Sequence, residues 1–218
     1  KKYDTFQKQI ADLVKGFKQA IASKQGTYYE LNISCPNLSH TGKSADVFST
    51  PEGFRELLTA LAGLRFHKPV FVKMYLDKTT KETKALMDVA ADFTYIKGFV
   101  FSNLCKDRTN PLFDKTEIQQ AGKGHFSGKP TFERSNKLIA FAYKNYADRF
   151  IIIGCGGVFS AEDAYEKIKS GASLVQLITG MIYEGPQVMS EINRGLVTLL
   201  KKDGYNNISE AIGTGIKK

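Results

Sequence analysis

The stretch FIIIGCGGVFSAEDAYEKIKSGASLVQLITG, Phe150 to Gly180, decides how the rest of the chain is read. Phe150–Ile153 is a β-branched apolar run, the composition of a strand buried on both faces. Gly154-Cys155-Gly156-Gly157 ends it in a turn, and Ser160-Ala161-Glu162-Asp163 resembles a capping box that opens a helix closed at Gly171. Ser173–Ile178 is apolar again and runs into Thr179-Gly180. Strand, glycine turn, helix and strand in close succession make a βα repeat of a parallel sheet.

The same alternation extends in both directions. Upstream, residues 5–22 put Phe6, Ile10, Leu13, Val14, Phe17 and Ile21 on one helical face, and Thr27–Ile33 reads as a strand. Thr50-Pro51-Glu52 supplies a cap and a proline at the first helical position, ahead of Phe54, Leu57, Leu58, Leu61 and Leu64 at helical spacing. Pro69–Tyr75 and Gly98–Ser102 are short apolar strands, with a capped helix from about Thr79 to Ala91 between them. After a polar loop from about Lys106 to Lys129, a helix carries Leu138, Ile139, Ala142 and Tyr146. Downstream, an amphipathic helix from about Gln187 to Lys202 stops at Gly204. Five near-continuous apolar strands separated by helices fit a doubly wound sheet or part of a (β/α)8 barrel. The reading favours a TIM (β/α)8 barrel, of which residues 1–218 supply the last five βα units as one domain, the earlier units lying outside this sequence.

Composition narrows the function classes. The chain has 218 residues, 42% hydrophobic and 24% charged, enough for a real core. No apolar run reaches the ~18 residues of a membrane-crossing helix, and the basic N-terminal stretch lacks a signal-peptide core, so an intracellular protein is expected. Cys35, Cys105 and Cys155 form no C-x-x-C pair, which argues against a disulfide framework and a structural metal site. The net charge of +9 is spread over most helices, as on a solvated basic surface.

Polar residues cluster where the strands end, the face on which barrels carry their chemistry. The first strand ends Asn32-Ile33-Ser34-Cys35-Pro36-Asn37, the second holds Lys73 and the third ends Ser102-Asn103. The fourth ends at Gly156-Gly157 and the fifth at Ile178-Thr179-Gly180. Adjacent glycine turns on the last two strands suit a phosphate, since they let backbone N–H groups approach an anion near a helix start; each alone could be a conformational turn. Lys73 within an apolar strand faces a polar site or snorkels to water. Asn32, Asn37 and Asn103 are poor strand residues, present either to hydrogen-bond a ligand or to form turns. Cys35 is either a buried structural thiol or, in a polar setting that lowers its pKa, a base.

Taken in order, Glu30–Asn37, Val72-Lys73, Ser102-Asn103, Ser127-Gly128-Lys129-Pro130, Ile152–Val158 and Gly171–Leu177 with Gly185-Pro186 resemble the dihydroorotate dehydrogenases over nearly the whole chain. The resemblance implies an FMN-bound barrel that oxidises dihydroorotate to orotate in pyrimidine biosynthesis, with a quinone as electron acceptor. It puts Cys35 in the base position, Asn32, Asn37 and Asn103 around the substrate, and Lys73 by the flavin ring. It gives Ser102, Ser127, Gly128, Gly156, Gly157, Ile178, Thr179 and Gly180 to the flavin and its phosphate. No metal and no nucleic acid are expected; peripheral membrane contact would come through earlier residues, and oligomerisation is left open. The loop and C-terminal half look like the quinone-using class, which usually has serine where this chain has Cys35. Leu104-Cys105 replaces the usual threonine or serine, and His125-Phe126 a glycine-leucine pair. A flavin-dependent tRNA dihydrouridine synthase, a non-redox phosphate-binding barrel and a binding-only relic are the competing readings.

Overall fold

In the computed structural model, which describes residues 5–34, 47–109, 113–122 and 124–216, all five apolar segments become strands. They are β1 (Tyr29–Asn32), β2 (Val70–Lys73), β3 (Ile96–Phe101), β4 (Ile151–Cys155) and β5 (Leu174–Gln176). In the sheet they follow chain order, β1-β2-β3-β4-β5. A doubly wound sheet reverses direction at its switch point, whereas a barrel adds each strand beside the last. The fold is therefore α/β with parallel strands in barrel order. The chain divides into two compact units, residues 1–73 with 78–98, and residues 74–77 with 99–218.

In the first unit, α1 (Phe6–Ser23), α2 (Pro51–Ala62) and α3 (Thr80–Ala91) accompany β1 and β2. β1 and β2 pair in parallel with Tyr29 opposite Val70 and Asn32 opposite Lys73. Tyr29, Leu31, Val70 and Val72 are buried on one face, which leaves Glu30, Asn32, Lys73 and the buried Phe71 on the other by the two-residue period. Helix α2 starts as its sequence dictates: Thr50 accepts from the Gly53 N–H, and Pro51 occupies the first turn. Phe54, Leu57, Leu58 and Leu61 then fall on one stripe and lose all contact with solvent. Thr79 and Glu82 form a reciprocal capping box on α3.

The second unit holds β4 and β5, paired in parallel with Ile153 opposite Leu174 and Cys155 opposite Gln176. Around them lie α4 (Lys115–Gln120), α5 (Phe132–Tyr146), α6 (Ala161–Lys169), α7 (Thr179–Glu184), α8 (Val188–Lys202) and α9 (Ile208–Ala211). Val158, Ala164, Val188 and Ile192 form one apolar cluster, and Tyr165, Ile168, Leu200 and Ala211 another.

Several boundaries differ from the sequence reading. The stretch 106–129 is not wholly loop: Asp114 caps α4 through the N–H groups of Thr116 and Glu117, and Cys105 and Phe126 form an antiparallel bridge. Helix α4 buries no residue, so it carries no apolar period to read. The first strand is shorter than Thr27–Ile33, and the fifth stops at Gln176, with Ile178 63% exposed. Ser160 caps α6 by accepting from the Asp163 N–H, but the box is not reciprocal. The Asp163 carboxylate accepts instead from the Phe159 N–H at 2.9 Å and is held by Lys129 Nζ at 2.6 Å.

Candidate active site

The sequence-predicted residues of the second unit converge. Thr179 Oγ1 donates to Ser127 Oγ at 2.9 Å, so the turn before α5 touches the start of α7. Gly128 has φ +74°, and a Cβ there would lie 3.1 Å from Thr179 Cγ2 and 3.4 Å from the Phe159 ring. Gly156 and Gly157, at φ +109° and +75°, adopt a backbone that side-chain-bearing residues rarely take. A Cβ on Gly157 would meet Phe132, and one on Gly156 would meet Thr131 Oγ1. Gly180 needs its glycine for a different reason: it has a helical backbone but lies against the Val158 carbonyl. Three turns thus pack with no room for side chains, through Thr131, Phe132 and Phe159.

The end of β3 is tied to the end of β4. The Ser102 N–H donates to the Cys155 carbonyl at 3.0 Å, and Ser135 Oγ lies 3.0 Å from the Phe101 carbonyl and 2.8 Å from that of Cys155. Ser102 Oγ and His125 Nδ1 are both buried and have no hydrogen-bond partner among the described residues. An orphaned buried hydroxyl costs about 1–3 kcal/mol unless a ligand atom meets it. A polar heterocycle carrying a phosphate fits this set: hydroxyls at Ser102, Ser127 and Thr179, and left-handed glycines whose N–H groups can turn outward.

Other site residues are partly occupied by local bonds. Asn103 Oδ1 accepts from the Leu104 N–H at 3.0 Å, and its own N–H donates to the Met74 carbonyl. In the first unit, Asn32 Oδ1 accepts from both the N–H and the hydroxyl of Ser34 at 3.2 Å. Lys73 lies 3.7 Å from Glu30 Oε1, a loose ion pair on the polar face of β1 and β2. Cys35 and Asn37 lie outside the described residues. The α6 start is a poorer anion site than its sequence suggested, because Ser160 and Asp163 already take two N–H groups and Asp163 brings a negative charge.

Thr131, Ser135 and Lys167 join the assembly without a place in the sequence reading, and Asp163, expected only as part of the α6 cap, joins it as well. Lys167 had a legible signal, since it falls on the stripe of α6 marked by Ala164 and Ile168. It is fully buried and donates to Ser135 Oγ at 3.0 Å and Asn136 Oδ1 at 2.8 Å.

Comparison with known proteins decides the family. A model of the dihydroorotate dehydrogenase family matches residues 3–200. The chain belongs to that family. Its members are flavin-dependent oxidoreductases. The dihydroorotate dehydrogenase (quinone) of Nostoc punctiforme is 35% identical over 88% of this chain and 51% of its own length. That of Crocosphaera subtropica is 38% identical over 85% and 49%. Among solved structures, DHODH from Eimeria tenella in complex with ferulenol superposes with a TM-score of 0.82 at 26% identity, covering 96% of this chain and 58% of that one. The ligand-free structure gives 0.77. The chain spans about half the length of the curated dihydroorotate dehydrogenases it matches, and its five βα units are part of a barrel. Among the described residues no helix is long and apolar enough to cross a membrane.

Proposed function

We propose that residues 1–218 form part of a single FMN-binding barrel domain that oxidises (S)-dihydroorotate to orotate in pyrimidine biosynthesis, passing electrons to a quinone. The observation that carries this reading is the packing of three turns, Ser127-Gly128, Gly156-Gly157 and Thr179-Gly180, whose glycines leave no room for side chains, together with a buried Ser102 hydroxyl that has no hydrogen-bond partner among the described residues. The quinone in the names of the similar proteins supports the acceptor, and use of a quinone fits peripheral membrane contact on the cytoplasmic side.

A flavin held here would supply the two-electron acceptor for the hydride that leaves substrate C6. Ser102 would offer its buried hydroxyl to the ring, and Lys73 and Ile178 would be the residues beside it. The N–H groups of Gly156 and Gly157 and the hydroxyls of Ser127 and Thr179 would hold the phosphate, with Gly128 and Gly180 permitting the close approach. The amides of Asn32, Asn37 and Asn103 hold the pyrimidine and its carboxylate. Cys35, as thiolate, takes the C5 proton, and the electrons of the broken C5–H bond complete the C5=C6 double bond as hydride leaves C6. Family membership favours this chemistry over an RNA-acting reductase or a non-redox phosphate barrel.

The test is to isolate the intact protein, record its visible spectrum and add dihydroorotate without oxygen. Flavin bands that bleach are expected; a colourless protein that takes up no FMN refutes the reading, and bound flavin that never bleaches identifies a binding-only relic. Cys35→Ala should slow bleaching at least ~100-fold, the low end of what a positioned base contributes, with FMN still bound. Undiminished bleaching would remove Cys35 from the base role.

A further inference from the structure

Lys167 is the most buried charge among the described residues of the second unit, and nothing in the reaction above uses it. It has no solvent exposure, and among the described residues no carboxylate lies within ion-pair distance of its Nζ. Its bonds go to neutral acceptors, Ser135 Oγ and Asn136 Oδ1, and it stands 4.7 Å from the centre of the Phe132 ring. A buried ammonium with neutral partners only is costly unless an anion lies nearby.

The neighbours of Lys167 lead to one place. Ser135 carries the contact to the carbonyl oxygens of Phe101 and Cys155, the groups immediately before Ser102 and Gly156. Phe132 is the residue that a Cβ on Gly157 would strike, and the Ser135 Cβ lies 3.9 Å from where one on Gly156 would be. The ammonium therefore sits behind the Gly156-Gly157 turn, on its dry side.

We propose that Lys167 is a positioning cation for the phosphate of the bound flavin, fixing Ser135 beneath the glycine turn and giving that turn a positive charge that water does not screen. This rests on the reading of the turn as a flavin phosphate site. The charged and titratable groups that face Lys167 are Cys155 on β4, Glu166 and Asp163 on α6, and Lys129 in the turn before α5. The first three favour its protonated form and Lys129 opposes it; Glu166 is also held by Asn136 Nδ2 at 3.0 Å. Burial outweighs them and brings the Lys167 pKa down to about 8, so the charge can be removed within a usable pH range.

The probes are FMN and riboflavin, which differ by the phosphate alone, titrated into the intact, flavin-stripped protein between pH 7 and 9.5. A phosphate completes its second ionisation near pH 6, so the one group by which the probes differ keeps its charge over this range, and any ionisation of the ring they share cancels in the ratio. The preference for FMN over riboflavin should fall about tenfold as Lys167 loses its proton, the order expected for one charge acting through protein at an effective dielectric constant of about 20. Lys167→Met should show the reduced preference already at pH 7 and no further change with pH. A merely structural role would weaken both ligands together and leave their ratio unchanged. An FMN-to-riboflavin ratio independent of pH in the unaltered protein overturns the proposal, and that series decides it even if the variant does not fold. A wild-type ratio retained by the variant at pH 7 also overturns it. Failure of the unaltered protein to bind either ligand would instead bring down the flavin reading, and this proposal with it.

Discussion

Replacing Lys167 with methionine should make the stability of the protein respond differently to pH, and the structure sets the size of the effect. An unfolded chain holds the lysine proton up to its ordinary pKa of 10.5, whereas burial in the folded protein releases it near 8. Below pH 8 both states are protonated, and the folded state bears the full penalty of a buried charge. Between 8 and 10.5 the unfolded state binds the extra proton, so stability rises with pH by about 1.4 kcal/mol per unit. The whole window is worth about 3 kcal/mol, of which about 2 kcal/mol falls between pH 7 and 9.5. Because Lys167 is fully buried, solvent screening does not reduce that figure.

The methionine variant keeps the side-chain volume and loses the charge. At pH 7 it gains the absent penalty and loses the bonds to Ser135 and Asn136, at about 1–3 kcal/mol, so the two nearly offset. Urea unfolding of flavin-stripped protein at pH 7 and 9.5 should show the unaltered protein gaining about 2 kcal/mol on the variant across that interval. Tyr165, whose pKa burial and the Asp203 bond push up to about 12, destabilises the fold only above about pH 10, and equally in both proteins. Parallel pH profiles, with a difference constant to about 0.5 kcal/mol, would mean that Lys167 is neutral or solvated in the fold, and the argument from its burial would fail.

Three other substitutions probe the scaffold. Gly180→Ala drives a methyl into the Val158 carbonyl and should cost about 1–3 kcal/mol, lowering the melting temperature. Gly16→Ala in α1, where nothing lies within 4 Å of the new methyl, should instead stabilise by about 0.5–1 kcal/mol. Glu82→Gln removes a carboxylate that the Thr79 hydroxyl and backbone, then Lys78, hold down at about 2. Its loss should cost about 1 kcal/mol near neutrality, discounted for exposure. The difference from the unaltered protein should shrink as pH falls from 4.5 toward about 2, because a lowered carboxylate stabilises only while ionised.

The strands were legible because a parallel sheet demands apolar runs, and Phe150–Ile153 could be little else. Barrel order was less so: periodicity separates helix from strand, but it does not say which strand lies beside which. Helix α4 escaped because it buries nothing, and its evidence was the Asp114 cap, an ordinary residue in a polar stretch. The glycines at 128, 156, 157 and 180 were readable as close-approach positions, but the reason differs among them. Gly128, Gly156 and Gly157 need a left-handed backbone, while Gly180 needs room beside a carbonyl. Asn32 and Asn103 spend their side-chain carbonyls on local turns, a use that residue type alone could not separate from substrate binding. Ser135 reaches the site through bonds to Phe101 and Cys155, and Lys129 meets Asp163 at the opening of α6, contacts that span sequence distances no local motif records.

Those flanking residues explain how glycine turns can be rigid enough to hold an anion. Glycine loses more conformational freedom on ordering than any other residue, so a cradle made of glycines needs its shape imposed from outside. Here Thr131 and Phe132 fill the space that side chains on Gly156 and Gly157 would need, Lys129 bridges to Asp163 at the opening of α6, and Ser135 braces the two strand ends. Each brace is neutral or internally paired except Lys167, whose charge meets no carboxylate at bonding distance among the described residues. A methionine of the same volume could fill that space without a buried charge. The arrangement therefore makes the unit least comfortable when the turn is empty near neutral pH, and returns that free energy to a ligand that brings negative charge to its front.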